Sequence, residues 1–231
     1  MKAIIMAGGK GTRLAPLTND IPKPLVKIID KPVIVHIIEL LRRHGITEIG
    51  VTLGYKAEKI IEALGDGSNL GVNLTYFIEG TPLGTAGSVK NTEGFVSDDF
   101  LVISGDAYTD LDITRLISYH LEKKSPLTLV ATPWENPVGL GVLETDFDGR
   151  ITSFIEKPTG LTRALINCGI YMLNKSTLDL IPDGPYDFGR ELLPSMVKHI
   201  YAYVTYDYWS DIGTLPTYYM ANYRVATRLS V

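Results

Sequence analysis

The chain of 231 residues has one cysteine, Cys168, which excludes a disulfide framework and fits a reducing compartment. It also lacks any apolar run near the ~20 residues that a bilayer requires. The longest runs, at residues 3–7 and 33–38, stop far short. No signal peptide forms either, because Gly8-Gly9-Lys10-Gly11 interrupts the apolar stretch after Lys2 before an h-region can develop. Strong charge of either sign is missing: 22 Lys and Arg stand against 26 Asp and Glu, for a net charge of −4. With 45% hydrophobic residues that balance excludes intrinsic disorder, and a basic footprint for nucleic acid is absent. A globular, cytoplasmic protein with neither a nucleic-acid nor a membrane partner is expected. Its length allows one large domain.

The little charge present is unevenly placed. Residues 1–31 carry Lys2, Lys10, Arg13, Lys23, Lys27 and Lys31 against Asp20 and Asp30, a balance of +4. The other 200 residues therefore sum to −8. A compact positive segment of this kind suits a small anion, although a solvated cationic loop would look the same.

Along the chain, apolar runs at 2–7, 48–53, 72–78, 100–104 and 127–131 read as strands, separated by helical patterns at 32–44, 55–64, 84–91 and 112–123. That alternation predicts an α/β fold with a doubly wound, mostly parallel sheet. Ligands of such sheets lie beyond the carboxyl ends of the strands, where loops 7–14, 79–87 and 105–110 would meet. The second half reads differently. A hairpin over 139–144 and 150–156 turns at Asp146-Phe147-Asp148-Gly149, followed by strands at 165–173 and 201–206 and helices at 188–197 and 214–227. No linker separates the halves, 1–133 and 134–231, so one domain is expected, with the second half as a lid or substrate-side subregion. Tyr218, Tyr219 and Tyr223 suggest a packing face, on the body or between subunits of a homo-oligomer.

The strongest local signal is Ala7-Gly8-Gly9-Lys10-Gly11-Thr12-Arg13-Leu14, with Pro22-Lys23-Pro24 behind it. Glycines after a strand let backbone N–H groups turn inward as an anion-binding nest. Arg13 adds a fork of donors for phosphate oxygens, and Lys23 is confined between two prolines. The string fails as a Walker loop on spacing, and fails as a dinucleotide fingerprint because Leu14 stands where the third glycine belongs.

This string resembles the signature of the sugar-1-phosphate nucleotidyltransferases, the NDP-sugar pyrophosphorylases. Further stretches are similar in the same order: Pro82-Leu83-Gly84-Thr85-Ala86-Gly87, Val102-Ile103-Ser104-Gly105-Asp106, Phe154-Ile155-Glu156-Lys157-Pro158, Asn167-Cys168-Gly169-Ile170-Tyr171 and Trp209-Ser210-Asp211-Ile212-Gly213-Thr214. The look is nearest to mannose-1-phosphate guanylyltransferase catalytic domains, without the C-terminal β-helix of many relatives. The resemblance implies a Rossmann-like fold and transfer of a nucleotidyl group from a nucleoside triphosphate to a sugar 1-phosphate. It assigns the triphosphate to Ala7 through Arg13, and the base to Glu79, Pro82, Gly84, Thr85, Ala86 and Gly87. Mg²⁺ would fall to Asp106 and Asp211, and the sugar phosphate to Lys23, Gly141, Glu156, Lys157 and Asn167. Arg13, Lys23, Asp106 and Asp211 would form the catalytic set. The loop at 79–87 has no glutamine, unlike many thymidylyl and uridylyl relatives, so GTP is expected. A thymidylyl- or uridylyltransferase, or a non-catalytic paralogue that binds sugar phosphate, is the alternative.

Three smaller expectations follow. Asp106 and Asp211 should meet because each follows an apolar strand, 100–104 and 201–206, and should act as one unit. Removing either should change stability little, or raise it, because two facing carboxylates repel. Cys168 should be a core side chain, and His36, His44, His120 and His199 show no metal-ligand spacing.

Overall fold

The computed structural model describes residues 1–229, with side chains to residue 227. The chain opens with β1 (Lys2–Ala7) and a small ribbon of β2 (Lys27–Ile28) and β3 (Lys31–Pro32). It continues through α1 (Val33–Arg43), β4 (Glu48–Leu53), α2 (Ala57–Leu64), β5 (Asn73–Ile78), α3 (Gly84–Lys90) and β6 (Phe100–Ser104). Next come β7 (Ala107–Thr109), α4 (Ile113–Lys123), β8 (Leu127–Glu135), β9 (Gly141–Thr145), β10 (Ile151–Glu156) and β11 (Arg163–Leu173). The last elements are α5 (Leu193–Met196), β12 (Tyr201–Val204), β13 (Trp209–Asp211) and α6 (Leu215–Leu229).

One nine-stranded sheet runs through both halves in the order β10-β9-β11-β6-β1-β4-β5, with β8 beside β11 and β12 beside β8. The pairs β1–β4, β1–β6 and β4–β5 are parallel, as the alternating pattern predicts. β1 and β6 are apolar throughout because both their faces are covered. Ile5 and Ile103 pack on one side with Ile37, Leu41, Ile60 and Leu116. Ile4 and Val102 pack on the other with Val89, Phe188 and Leu192. Strand 127–131, expected as a further parallel member, runs in the same direction as β6 and pairs parallel with β12, but joins the parallel strands only through antiparallel pairing with β11. The reason lies in β11, which takes the place beside β6, itself antiparallel.

β11 changes neighbours midway. Leu165 and Ile166 pair with β9, whereas residues from Ile170 onward pair with β6. The switch is a bulge between Asn167 and Tyr171, where Gly169 sits at φ +68°. Glycine tolerates that left-handed value at no steric cost. The bulge opens a floor between the two halves of the sheet.

A third apolar cluster lies outside the sheet. Leu14, Val26, Ile28, Val33, Ile212, Ala221 and Val225 fasten the N-terminal loop to the final helix. Of the three tail tyrosines only Tyr218 packs on this cluster; Tyr219 and Tyr223 are exposed. Among the described residues no helix is long and apolar enough to cross a membrane.

Candidate active site

Two cavities open along the carboxyl ends of β1 and β6. The first, about 340 Å³, is lined at one end by Ala7, Gly8, Gly9, Lys23 and Asp106. Its other end is lined by Glu79, Pro82, Gly84, Thr85 and Asp187. The second, about 180 Å³, lies over the β11 bulge and is lined by Gly141, Glu156, Asn167, Gly169 and Asp211. Ser104 and Asp106 line both, so the two spaces meet at the end of β6. A larger cavity of about 640 Å³ lies behind β13, against α6, and takes no part of the glycine loop.

At the junction Lys23 Nζ donates to Asp106 Oδ2 and, at 3.2 Å, to Asp211 Oδ1. Ser104 Oγ donates to Asp106 Oδ1 at 2.5 Å. Burial opposes charge on all three groups, and the pairings decide what survives. Burial would lower the pKa of Lys23, but Asp106 and Asp211 outweigh it and hold it above the usual lysine value. Burial would raise that of Asp106, but Lys23 and Ser104 hold it below the usual range. Asp211 ends above the usual range, because burial and the charge of Asp106 outweigh Lys23 and Arg13. The result is one ammonium between two carboxylates of unequal acidity.

The route to this meeting is not the one expected. The strand beginning at Tyr201 ends at Val204, well short of Asp211. Asp211 is carried instead by β13, which pairs antiparallel with β7; Asp211 stands opposite Ala107, next to Asp106. The Asp211 carboxylate also lies flat against Gly213, where a Cβ would come within 2.6 Å of Oδ2.

The sequence candidates divide on inspection. Ala7, Gly8, Gly9, Lys23, Glu79, Pro82, Gly84, Thr85 and Asp106 line the first cavity. Lys10 and Thr12 line a separate space of about 380 Å³ beside Asn19 and Tyr55. Arg13 is exposed on the short 3-10 turn that follows Gly11. Leu14, the residue that breaks the dinucleotide fingerprint, is fully buried and anchors that turn. Ala86 and Gly87 line neither cavity; they are buried in α3 and donate backbone N–H groups to Tyr186 O. Gly141, Glu156 and Asn167 line the second cavity. Lys157 does not: its exposed Nζ lies 3.3 Å from Glu156 Oε1. Asn167 holds the bulge, accepting from Gly169 N at 3.0 Å and donating to Tyr171 Oη at 2.9 Å. Cys168 is buried, and burial pushes its thiol well above the usual range.

Glu79 Oε2 accepts from Leu83 N at 3.1 Å, closing the loop before α3. Burial raises its pKa, partly offset by that N–H. Three site residues escape sequence reasoning: Ser104, Asp187 and Gly189. Asp187 Oδ1 accepts from Thr85 Oγ1 at 3.0 Å. Gly189 lies against the Glu156 carboxylate. Only the glycine inside the apolar pattern of 188–197 hinted at the last of these. That stretch is a wide turn, residues Phe188–Leu192, that runs into α5 rather than a regular helix.

Among the described residues no set of three His, Cys, Asp or Glu side chains converges as a metal cluster. Asp106 and Asp211 are nevertheless two hard oxygen donors aimed at one cation position, which the Lys23 ammonium now takes. A divalent ion that keeps several waters needs no more from the protein.

The nucleotidyl transferase family model matches residues 2–228. A UTP–glucose-1-phosphate uridylyltransferase of Synechocystis sp. is 40% identical over 99% of this chain and 64% of its own length. A mannose-1-phosphate guanyltransferase of Yarrowia lipolytica is 37% identical over 92% of this chain and 61% of its own. The chain thus spans somewhat under two thirds of these curated relatives. The crystal structure of HddC from Yersinia pseudotuberculosis superposes with a TM-score of 0.86 at 34% identity, covering 97% of this chain and 99% of that one. The same protein complexed with GMP-PN gives a TM-score of 0.85.

Proposed function

From its membership of the nucleotidyl transferase family, we propose that this chain transfers a nucleotidyl group from a nucleoside triphosphate to a sugar 1-phosphate, releasing pyrophosphate. One observation carries the reading. Two cavities of different lining share Ser104 and Asp106, and the charged junction stands where they meet. A nucleotide in the first and a sugar phosphate in the second would bring two phosphates together at that point.

The reaction needs position and positive charge more than acid–base chemistry. A phosphate oxygen of the sugar 1-phosphate attacks the α-phosphorus. The bond from that phosphorus to the bridging oxygen breaks, and pyrophosphate leaves with the electron pair. The nucleophile is already an anion, so no protein group has to remove a proton. Gly8 and Gly9 would offer backbone N–H groups to the triphosphate, and exposed Arg13, whose charge reaches Asp211, would add a further cation. Lys23, kept protonated by its two carboxylates, neutralises the incoming phosphate. Asp106 and Asp211 would hold Mg²⁺, which when bound draws negative charge from phosphate oxygens. Glu156 accepts from sugar hydroxyls, and Asn167 shapes the floor below them.

For the base we propose guanine. Glu79 spends one oxygen on Leu83 N and keeps the other as an acceptor, matched to the N1 and N2 donors of guanine. The HddC complex with GMP-PN supports this choice, whereas the Synechocystis relative favours UTP. Mannose 1-phosphate or a similar sugar is the proposed acceptor, and the cytoplasm the proposed site. The test is pyrophosphate release from five nucleoside triphosphates against several sugar 1-phosphates. GTP should lead by about tenfold or more, the discrimination expected when a buried donor or acceptor is left unmatched. A clear lead for UTP or dTTP would overturn the base assignment and leave the reaction standing.

A further inference from the structure

Residues 184–189 bear on both cavities: Asp187 lines the first, and Gly189 lies against Glu156, which lines the second. On the nucleotide side Tyr186 N donates to Leu83 O at 2.8 Å, and Tyr186 O accepts from Ala86 N and Gly87 N, each at 2.9 Å. Thr85 adds a clasp: its hydroxyl donates to Asp187 Oδ1 at 3.0 Å and accepts from Phe188 N at 2.9 Å. Glu191 holds the other side of the same turn, accepting from Asp187 N at 2.6 Å. The base loop and this segment are therefore bonded at successive residues.

On the sugar side the contacts are steric. A Cβ on Gly189 would come within 2.4 Å of Glu156 Oε2, and one on Gly141 within 2.9 Å of the same oxygen. The carboxylate is thus held between two glycine surfaces, one of them in this segment. Phe188 stacks on Tyr171 with ring centroids 4.5 Å apart and planes within 11°. Tyr171 Oη in turn takes the amide of Asn167. Two residues of the sugar cavity accordingly rest on the segment that the nucleotide loop holds.

We propose that residues 184–189 are a strap that sets the two substrate pockets in register. Thr85 and Asp187 are its positioning residues on the nucleotide side, and Phe188 and Gly189 on the sugar side. The inference rests on the transfer reaction proposed above and goes beyond it in one respect. A residue that lines only the nucleotide cavity, Thr85, governs how well the sugar phosphate is held.

Steady-state kinetics with both substrates varied test this through Thr85→Val, which keeps the shape and removes both hydrogen bonds. The KM for sugar 1-phosphate should rise about tenfold, as expected for losing a hydrogen bond or two, with kcat changing less than KM. Thr85→Ser, which keeps the hydroxyl, should bring the sugar 1-phosphate KM back toward the wild-type value. Gly189→Ala should raise the sugar 1-phosphate KM and spare the nucleotide KM, and adding Glu156→Asp should recover part of the loss by shortening the acid. An active wild type in which Thr85→Val moves only the nucleotide KM overturns the strap, as does a normal sugar KM in Gly189→Ala. A folded wild type without turnover removes the proposed reaction, and the strap with it.

Discussion

Lys23 is 8% exposed and stands between two carboxylates, which changes what each of the three is worth. The two aspartates alone would repel, and their loss would cost little stability. With the ammonium between them, removing Asp106 strips the nearest counter-charge from a buried cation. Breaking a buried pair costs about 3–5 kcal/mol when the charge is left stranded. Asp211 remains as a second partner, so Asp106→Asn should lose roughly 1–3 kcal/mol in thermal or denaturant unfolding. Adding Lys23→Met should restore part of that loss; a double variant less stable than Asp106→Asn would show that Lys23 is not the stranded group. Turnover should behave differently. Asp106→Asn and Asp211→Asn should each lower kcat on the order of 10³-fold, and the double variant should match the worse single one. Near-normal turnover in either single variant at saturating Mg²⁺ counts against a shared ion.

The elements that place these residues differ in how well they can be read from the chain. β1, β4 and β6 are legible because a strand covered on both faces is largely apolar, β5 at the sheet edge shows an alternation through Leu74 and Tyr76, and the helices between them show 3.6-residue spacing. The hairpin is legible through Asp146, whose Oδ1 accepts from Asp148 N and Arg150 N. β7 and β13 are not, because three residues such as Trp209-Ser210-Asp211 are too few to show a period. Their pairing, rather than the end of β12, brings Asp211 to Asp106. The bulge in β11 is equally silent: Asn167 stood out only through the family resemblance, and its hold on Gly169 N appears only once the strand changes partners. The β13 turn offers its own test. Gly213→Ala would push the Asp211 carboxylate aside, and a displacement of about 1 Å near the reacting groups costs on the order of 10²-fold. Activity should fall and the Mg²⁺ concentration for half-maximal rate should rise; an unchanged Mg²⁺ dependence would separate Asp211 from the ion.

At the scale of the molecule, the glycine loop proposed to meet the triphosphate is stabilised by α6. Leu14, fully buried with Ile212, Ala221 and Val225, joins the glycine loop to α6. Leu14→Ala should cost about 2–5 kcal/mol, read from denaturant unfolding, and lower activity as Arg13 loses its footing. A second global effect comes from His120, which is 1% exposed and bonded through Nδ1 to Thr128 Oγ1 at 2.8 Å. Burial lowers its pKa below the usual 6.5, against a weaker pull from Asp99. The folded state therefore favours the neutral ring. That stability is complete above pH 6.5 and is lost as pH falls from there through the folded pKa. His120→Gln should flatten the unfolding profile in that window; an unchanged slope would place the acid sensitivity elsewhere. The proposed transfer requires two phosphates to meet at one junction. Phosphorus NMR of the folded protein with Mg²⁺, GTP and mannose 1-phosphate follows both at once. The expected result is a new pair of diphosphate resonances from the NDP-sugar with an equal amount of pyrophosphate, reversed by added pyrophosphate. No new resonances across the substrate panel, or nucleoside diphosphate and inorganic phosphate instead, would contradict it.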